Sequence, residues 1–416
     1  MTPCHKNLAF LLLMMSKVTG LFRIRMKRLS LILCLIALSL LVIGCTGTAW
    51  EGWSGFTAAD DVLYFGTMDG RVLAISPEAR SQKLSFPSEN EWSFTIPAMS
   101  APGAICGPAC VPASPRATIY ATPVVVEDLL CVGIYAGENG KLVAVDRLAP
   151  GYTEGVPLRS KGEWAYPGVA KSIGAIVGTP VVVEDTLYVG SSDGKLYALD
   201  AIYGEKKWEF DTGGKIWTSP AVEDGAVYVS NYERKLFAVS ITDHTLLWEI
   251  ELPASIASSP VISEGSIYFG TFDRNLYAIA INDGSEKWKF EGGNWFWATP
   301  IVKDGVVYAG CLDHQIYALD AITGEKLWQF VADAPVVATP VFSDNLLVAA
   351  SESGEMYILE PDSGVLVRSV SIGYQVMGPL YAEENIVYVH ARNRCVYAID
   401  VQSGDTVWEF CYSDIQ

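Results

Sequence analysis

The dipeptide Thr-Pro or Ser-Pro returns at an even step: Thr179-Pro180, Ser219-Pro220, Ser259-Pro260, Thr299-Pro300 and Thr339-Pro340, each 40 residues after the last. Trp208, Trp248, Trp288 and Trp328 keep the same step. A fixed period near 40 residues requires stacked copies of one supersecondary unit, and few architectures have it. Residues 298–330 show the unit: Ala-Thr-Pro-Ile-Val, Gly-Val-Val-Tyr-Ala-Gly, Gln-Ile-Tyr-Ala-Leu-Asp and Lys-Leu-Trp-Gln-Phe. These four runs are rich in β-branched and aromatic residues. Asp304-Gly305, Asp313-His314 and Thr323-Gly324 separate them, so the unit reads as four antiparallel strands joined by tight turns. Such units arranged radially make a β-propeller, which leaves only short, protected edges.

The divergent copies give the blade count. Pro123, Pro180, Pro220, Pro260, Pro300, Pro340 and Pro379 mark seven first strands, and aligning Tyr64 with Tyr188 puts Phe56 at the proline position of an eighth. Trp92, Trp164, Trp208, Trp248, Trp288, Trp328 and Trp408 mark fourth strands, with Arg368 at the tryptophan position of blade 7. The expectation is an all-β, eight-bladed propeller over residues 53–411 with a short tail at 412–416. A closed ring needs no second copy, so it is expected to be monomeric. One large ring at a fixed place per blade suits the wedge between sheets, where burial is worth roughly 2–3 kcal/mol.

Residues 1–44 are of another kind. They hold six basic residues and no acidic one, and after Lys27-Arg28 run sixteen apolar or small residues, Leu29 to Gly44. That order is a secretory signal, too short to span a membrane comfortably. Met26 would start a signal of ordinary length. Leu41-Val42-Ile43-Gly44-Cys45 resembles the bacterial lipoprotein signal, in which a small residue precedes a cysteine that is lipidated. This resemblance implies lipid attachment at Cys45, a tether over 45–52, and residence as a membrane-anchored lipoprotein outside the cytoplasm. A plain signal anchor with Cys45 incidental is the alternative. Removing residues 1–44 takes six of 29 basic residues and none of 47 acidic ones, leaving a net charge of −24. Nucleic acid and anionic lipid surfaces would both be repelled.

Export permits disulfides. Cys106 and Cys110 sit in a Pro/Gly-rich insertion and could form a short loop bridge; two thiolates alone do not close a zinc site. Cys131, Cys311 and Cys395 fall in or beside strands and read as buried apolar residues. Asp193, Glu233, Asp273 and Asp313 share one repeat position; they could ring a cation, but acids at turns ordinarily serve the turn itself. His244, His314 and His390 form no metal-binding pair, and neither a Gly-x-Ser-x-Gly elbow nor a phosphate-binding glycine loop is present. No catalytic residue and no metal site is assigned.

The run Ala318-Leu319-Asp320-Ala321-Ile322-Thr323-Gly324-Glu325-Lys326-Leu327-Trp328 resembles the pyrroloquinoline quinone (PQQ) propeller repeat. The resemblance covers nearly all of residues 53–411. It implies one of two groups: quinoprotein dehydrogenases that use PQQ and calcium, or non-catalytic lipoproteins of the BamB type, which act in outer-membrane β-barrel assembly. The dehydrogenases carry a vicinal cysteine pair and long acidic loops. No two cysteines are adjacent here, and minimum-length turns leave little with which to build a cofactor cavity. The resemblance therefore favours a cofactor-free scaffold that binds envelope proteins, with the PQQ/calcium oxidoreductase as runner-up and a surface glycan-binding propeller as a third reading.

A slot three residues before each proline position is expected near the central channel. Its occupants are Trp53, Tyr120, Val177, Trp217, Ala257, Trp297, Val337 and Val376, with Trp295 and Phe296 beside them. Trp53, Tyr120, Trp217 and Trp297 are the candidate partner-binding residues, because aromatic side chains are enriched at binding hot spots; they could also merely fill the channel opening. The long excursions at 77–91, 97–118 and 147–163 all belong to blades 1 and 2 and are a second candidate surface.

Overall fold

A computed structural model describes residues 54–96, 117–148, 163–168 and 171–413. Cys45, Trp53, Cys106 and Cys110 lie outside these residues. Eight four-stranded antiparallel sheets follow one another along the chain, each built from four consecutive strands. Blade 1 runs from Phe56–Ala59 to Trp92–Thr95, and blade 8 from Tyr381–Glu383 to Thr406–Cys411. First strands of successive blades touch, which puts them around the axis with fourth strands outermost. Among the described residues no helix is long and apolar enough to cross a membrane.

The Thr/Ser-Pro motif has a physical cause. The amides of Gly55, Thr122, Thr179 and Ser219 donate to the hydroxyls of Thr122, Thr179, Ser219 and Ser259 respectively, at 2.9–3.2 Å. Each hydroxyl staples the blade before it at the axis.

The tryptophans act on the fourth, outermost strands. Trp248, Trp288 and Trp328 each donate their indole N–H to a backbone carbonyl in the next blade, those of Ile281, Ala321 and Pro361. Their rings lie against the turn glycines Gly284, Gly324 and Gly364, all at positive φ. A Cβ on Gly324 would come within 2.6 Å of the Trp288 ring, so the paired Thr-Gly and Trp of the repeat are two sides of one contact. Where blade 4 has His244 in place of the glycine, its ring stacks on Trp208 at 5.0 Å. Arg368 lies over Gly404 and reaches the Gln402 carbonyl, replacing the indole in blade 7.

Among the described residues no strand is exchanged between the first and last blades. Side chains close the ring instead. Phe56, Leu63, Phe65, Leu73 and Ile75 of blade 1 pack with Tyr388, Val396, Trp408, Phe410 and Tyr412. His390 joins this seam with its Nδ1 3.3 Å from the Ser54 carbonyl and its Nε2 2.8 Å from the Tyr412 hydroxyl. Tyr412, expected to open a tail, is therefore a buried part of the seam.

Part of the 77–91 excursion has a structural job. A helix, Pro77–Ser81, packs on the outer strand of blade 8. Arg80 lies over the rings of Phe86 and Phe410. Glu91 accepts from Arg80 Nε and Nη2 and from the amides of Ser76 and Ser88. This insertion stands where blades 3 to 8 have a short third turn, and it serves as a clasp across the seam rather than as an open recognition loop.

One cysteine expectation is corrected. Cys395 is not a free apolar residue: it is bonded to Cys411, its directly opposed partner on the neighbouring strand. Opposed residues of an antiparallel pair bring their side chains close enough for the bond. Cys131 and Cys311 are buried and free, and burial pushes both thiols up to about 12.

Candidate functional site

The strand connections divide the described propeller into two unlike faces. On one, every turn between first and second strands carries an acid at positive φ: Asp60, Glu127, Glu184, Asp224, Glu264, Asp304, Asp344 and Glu384. A ring of carboxylates surrounds that end. On the other face the chain enters each first strand, and the turns between second and third strands stand beside it.

At the second face a cavity of about 980 Å³ opens along the axis. Its floor includes the stapling residues Thr122, Thr179, Ser219 and Ser259, with Thr299 and Thr339. Its walls include Tyr120, Val177, Trp217, Ala257, Trp297 and Val337, so the expected channel slot is real in six blades. The seventh described occupant is Met377, not Val376. Val376 is wholly buried, and Leu380, not Pro379, holds the place of the other prolines. The chain keeps its 40-residue step from Pro340 to Leu380, and the proline has slipped one residue from it. Phe296 also leaves the site: it is a core residue between blades 5 and 6.

One wall is aromatic and continuous. Trp217 lies 5.2 Å from Tyr232, Tyr232 6.5 Å from Phe272, and Phe272 5.0 and 5.8 Å from Trp295 and Trp297. Trp217, Tyr232 and Trp295 are 45%, 47% and 42% exposed, large values for such side chains on a folded domain. Tyr120 stands apart, edge-on to Tyr135 at 5.1 Å. The opposite rim is polar, with Gln375 bonded to Glu352 and to Arg392.

Tyr232 and Phe272 were not among the residues expected here. They sit in the turns between second and third strands, and their sequence signal is the same 40-residue step, which links Ser192, Tyr232, Phe272, Leu312, Glu352 and Arg392. The amide of each of these six donates to the carbonyl of a loop residue before a first strand, including Lys215 for Tyr232 and Trp295 for Leu312.

The recurrent turn acids hold this rim in place. Asp193 and Asp313 accept from the hydroxyls of Tyr197 and Tyr317 and from the loop amides of Gly174 and Gly293. Asp273 accepts from Tyr277. Burial first, and the adjoining carboxylate second, raise the Tyr197 and Tyr317 hydroxyls well above the ordinary phenol range. These acids are spent on hydrogen bonds within their own blade and the adjoining loop.

Minimum-length turns were expected to leave little with which to build a cofactor cavity, yet the described residues surround an open mouth. Its chemistry is still poor for PQQ. That cofactor is a quinone bearing three carboxylates and is held with calcium, which takes several oxygen ligands including carboxylates. Arg234 is the one charged residue among those lining the cavity, and its guanidinium is held by Glu251 and the Pro253 carbonyl. Among the described residues no carboxylate lines it. The residues present do not fit the group.

The model of the family described as outer membrane protein assembly factor BamB matches residues 159–258, 245–369 and 313–414, well over half the chain. The chain belongs to this family. Solved structures carry the same architecture. BamB from Moraxella catarrhalis is 16% identical, with a TM-score of 0.59 over 81% of this chain and 90% of that one. The computationally designed Ika8 protein is 14% identical, with a TM-score of 0.61 over 83% of this chain and 95% of that one. At these identities the likeness is one of fold. No curated protein matches the chain. Membership in the BamB family accounts for the eight PQQ-like blades and supports protein interaction in general as the use of this fold.

Proposed function

We propose that this chain is a lipid-anchored, extracytoplasmic scaffold of a bacterial envelope, without a cofactor, that holds segments of other envelope proteins in the aromatic mouth of its propeller. The observation that carries this reading is the wall from Trp217 through Tyr232 and Phe272 to Trp295 and Trp297, in which Trp217, Tyr232 and Trp295 are half-exposed around a concave opening. Concave sites of this size are mostly apolar with few polar groups. Rigid aromatic rings supply much of the energy where one protein docks on another. The lipoprotein-like run ending in Gly44-Cys45 supports attachment to a membrane, and BamB family membership supports an envelope setting.

Titration of purified protein with PQQ and calcium, followed by absorbance, tests the cofactor-free part of the proposal. Formation of a holoprotein that reduces a dye with alcohols or sugars would replace the scaffold with an oxidoreductase. Binding of a defined saccharide on a glycan array, lost in Trp217→Ala, would replace it with a glycan receptor.

A further inference from the structure

The point where the described chain begins and the aromatic mouth lie on the same face of the propeller. Ser54, the first described residue, lies at the start of the first strand of blade 1. It is wholly buried near the axis, where its hydroxyl donates to the Ala121 carbonyl and accepts from the Gly66 amide. This is the face on which every first strand is entered, and therefore the face of the cavity. Cys45 lies nine residues earlier. Nine residues reach roughly 30 Å when fully extended.

That length is too short to turn the propeller over. Four strands at about 4.8 Å spacing carry a blade roughly 15–20 Å out from its inner edge, and strands of five or six residues make it roughly 20 Å tall. A chain leaving the axis at the mouth would need more than roughly 35 Å to pass the rim and reach the opposite end. Charge agrees with the reach. The eight-carboxylate ring occupies the opposite end, and an anionic lipid surface would repel it.

We infer that the mouth faces the membrane that holds Cys45, and that its occupant is an apolar loop tip presented by a protein embedded in that membrane. This rests on the lipid attachment proposed above. A loop fits better than the bilayer itself. The rings line a recess that a flat lipid surface cannot enter. A loop crossing a gap of up to roughly 30 Å can place one or two apolar side chains between Trp217 and Trp297.

Two arms test this. In the first, the mature chain with Cys106 and Cys110 changed to Ser is coupled through Cys45 to a maleimide lipid in phosphatidylcholine vesicles. A bioorthogonal fluorophore is placed at position 232 or at position 304, with headgroup-level nitroxide lipid as quencher. Quenching at 232 should exceed that at 304 several-fold, and thirty Gly/Ser residues inserted after Gly47 should erase the difference. Equal quenching without the insertion, or stronger quenching at 304, overturns the orientation. Because the lipid is supplied chemically, this arm does not depend on cellular lipidation, which Cys45→Ala fractionation tests separately.

In the second arm, a photo-crosslinker at position 232 is activated in native membranes. The expected adduct is a protein that resists alkaline extraction, absent when the crosslinker is at 304. Adducts only to lipid, or only to soluble proteins, overturn the choice of occupant.

Discussion

The Arg80 guanidinium and the Glu91 carboxylate meet at 2.6 Å with their side chains 7% and 0% exposed, and the same guanidinium lies over the Phe410 ring of blade 8, where the first and last blades meet. Stripping one partner leaves the other buried and uncompensated, a loss of about 3–5 kcal/mol. Glu91→Ala should therefore lower stability by that order. It should also raise amide exchange first in the outer strand of blade 8, Thr406–Cys411. Exchange rising uniformly over all blades would show that the clasp does not guard the seam.

The seam should also be acid-sensitive. Burial holds the His390 imidazole neutral, with its pKa pushed down from 6.5 to about 4 against a smaller opposing effect of the Ser54 carbonyl. Between those values the unfolded chain binds more protons than the folded one. Stability from this group is thus complete above about pH 6.5 and is lost as pH falls toward 4, by about 3 kcal/mol in all. Melting across that window should fall less steeply in His390→Gln than in the parent. Equal slopes would place the acid sensitivity elsewhere.

Two classes of tryptophan should respond differently. Trp288 is buried against Gly324 and bonded to the Ala321 carbonyl, so Trp288→Ala should cost about 3–5 kcal/mol by the cavity it leaves. Trp217 is 45% exposed, so Trp217→Ala should change the melting temperature little. An early melt in Trp217→Ala would make it a core residue.

The disulfide joins Cys395 and Cys411, sixteen positions apart in sequence. Replacing both cysteines by serine should cost up to about 3 kcal/mol on loop-closure grounds. Intact-mass measurement of exported protein, alkylated without reduction, should show both thiols protected. Alkylation at either would refute the bond.

The sequence carries the fold almost openly, because a propeller repeats its contacts and so repeats the residues that make them. Thr-Pro marks a hydroxyl staple, and Thr-Gly with Trp marks one interblade contact read from both sides. What repeats imperfectly was harder to read. Pro379 drew the alignment of blade 8 one residue off, since the repeat follows the position just before the first strand, now held by Leu380, rather than the proline. Cys395 and Cys411 are paired by strand register, which spacing along the chain does not display. Tyr232 and Phe272 come to the mouth through a turn from the second strand, a different part of the repeat from Trp217 and Trp297. The clasp at 76–91 follows no repeat at all.

The scaffold reading is tested most directly by crosslinking and mass spectrometry in native membranes. The chain would be compared as wild type and as Trp217→Ala/Trp297→Ala, at matched abundance. Loss of one good hot spot is worth about 2 kcal/mol, roughly thirtyfold in affinity. The account expects adducts to partner proteins to fall at least tenfold in the double variant while its melting curve stays close to that of the parent. Undiminished adducts from a fully folded double variant would contradict it.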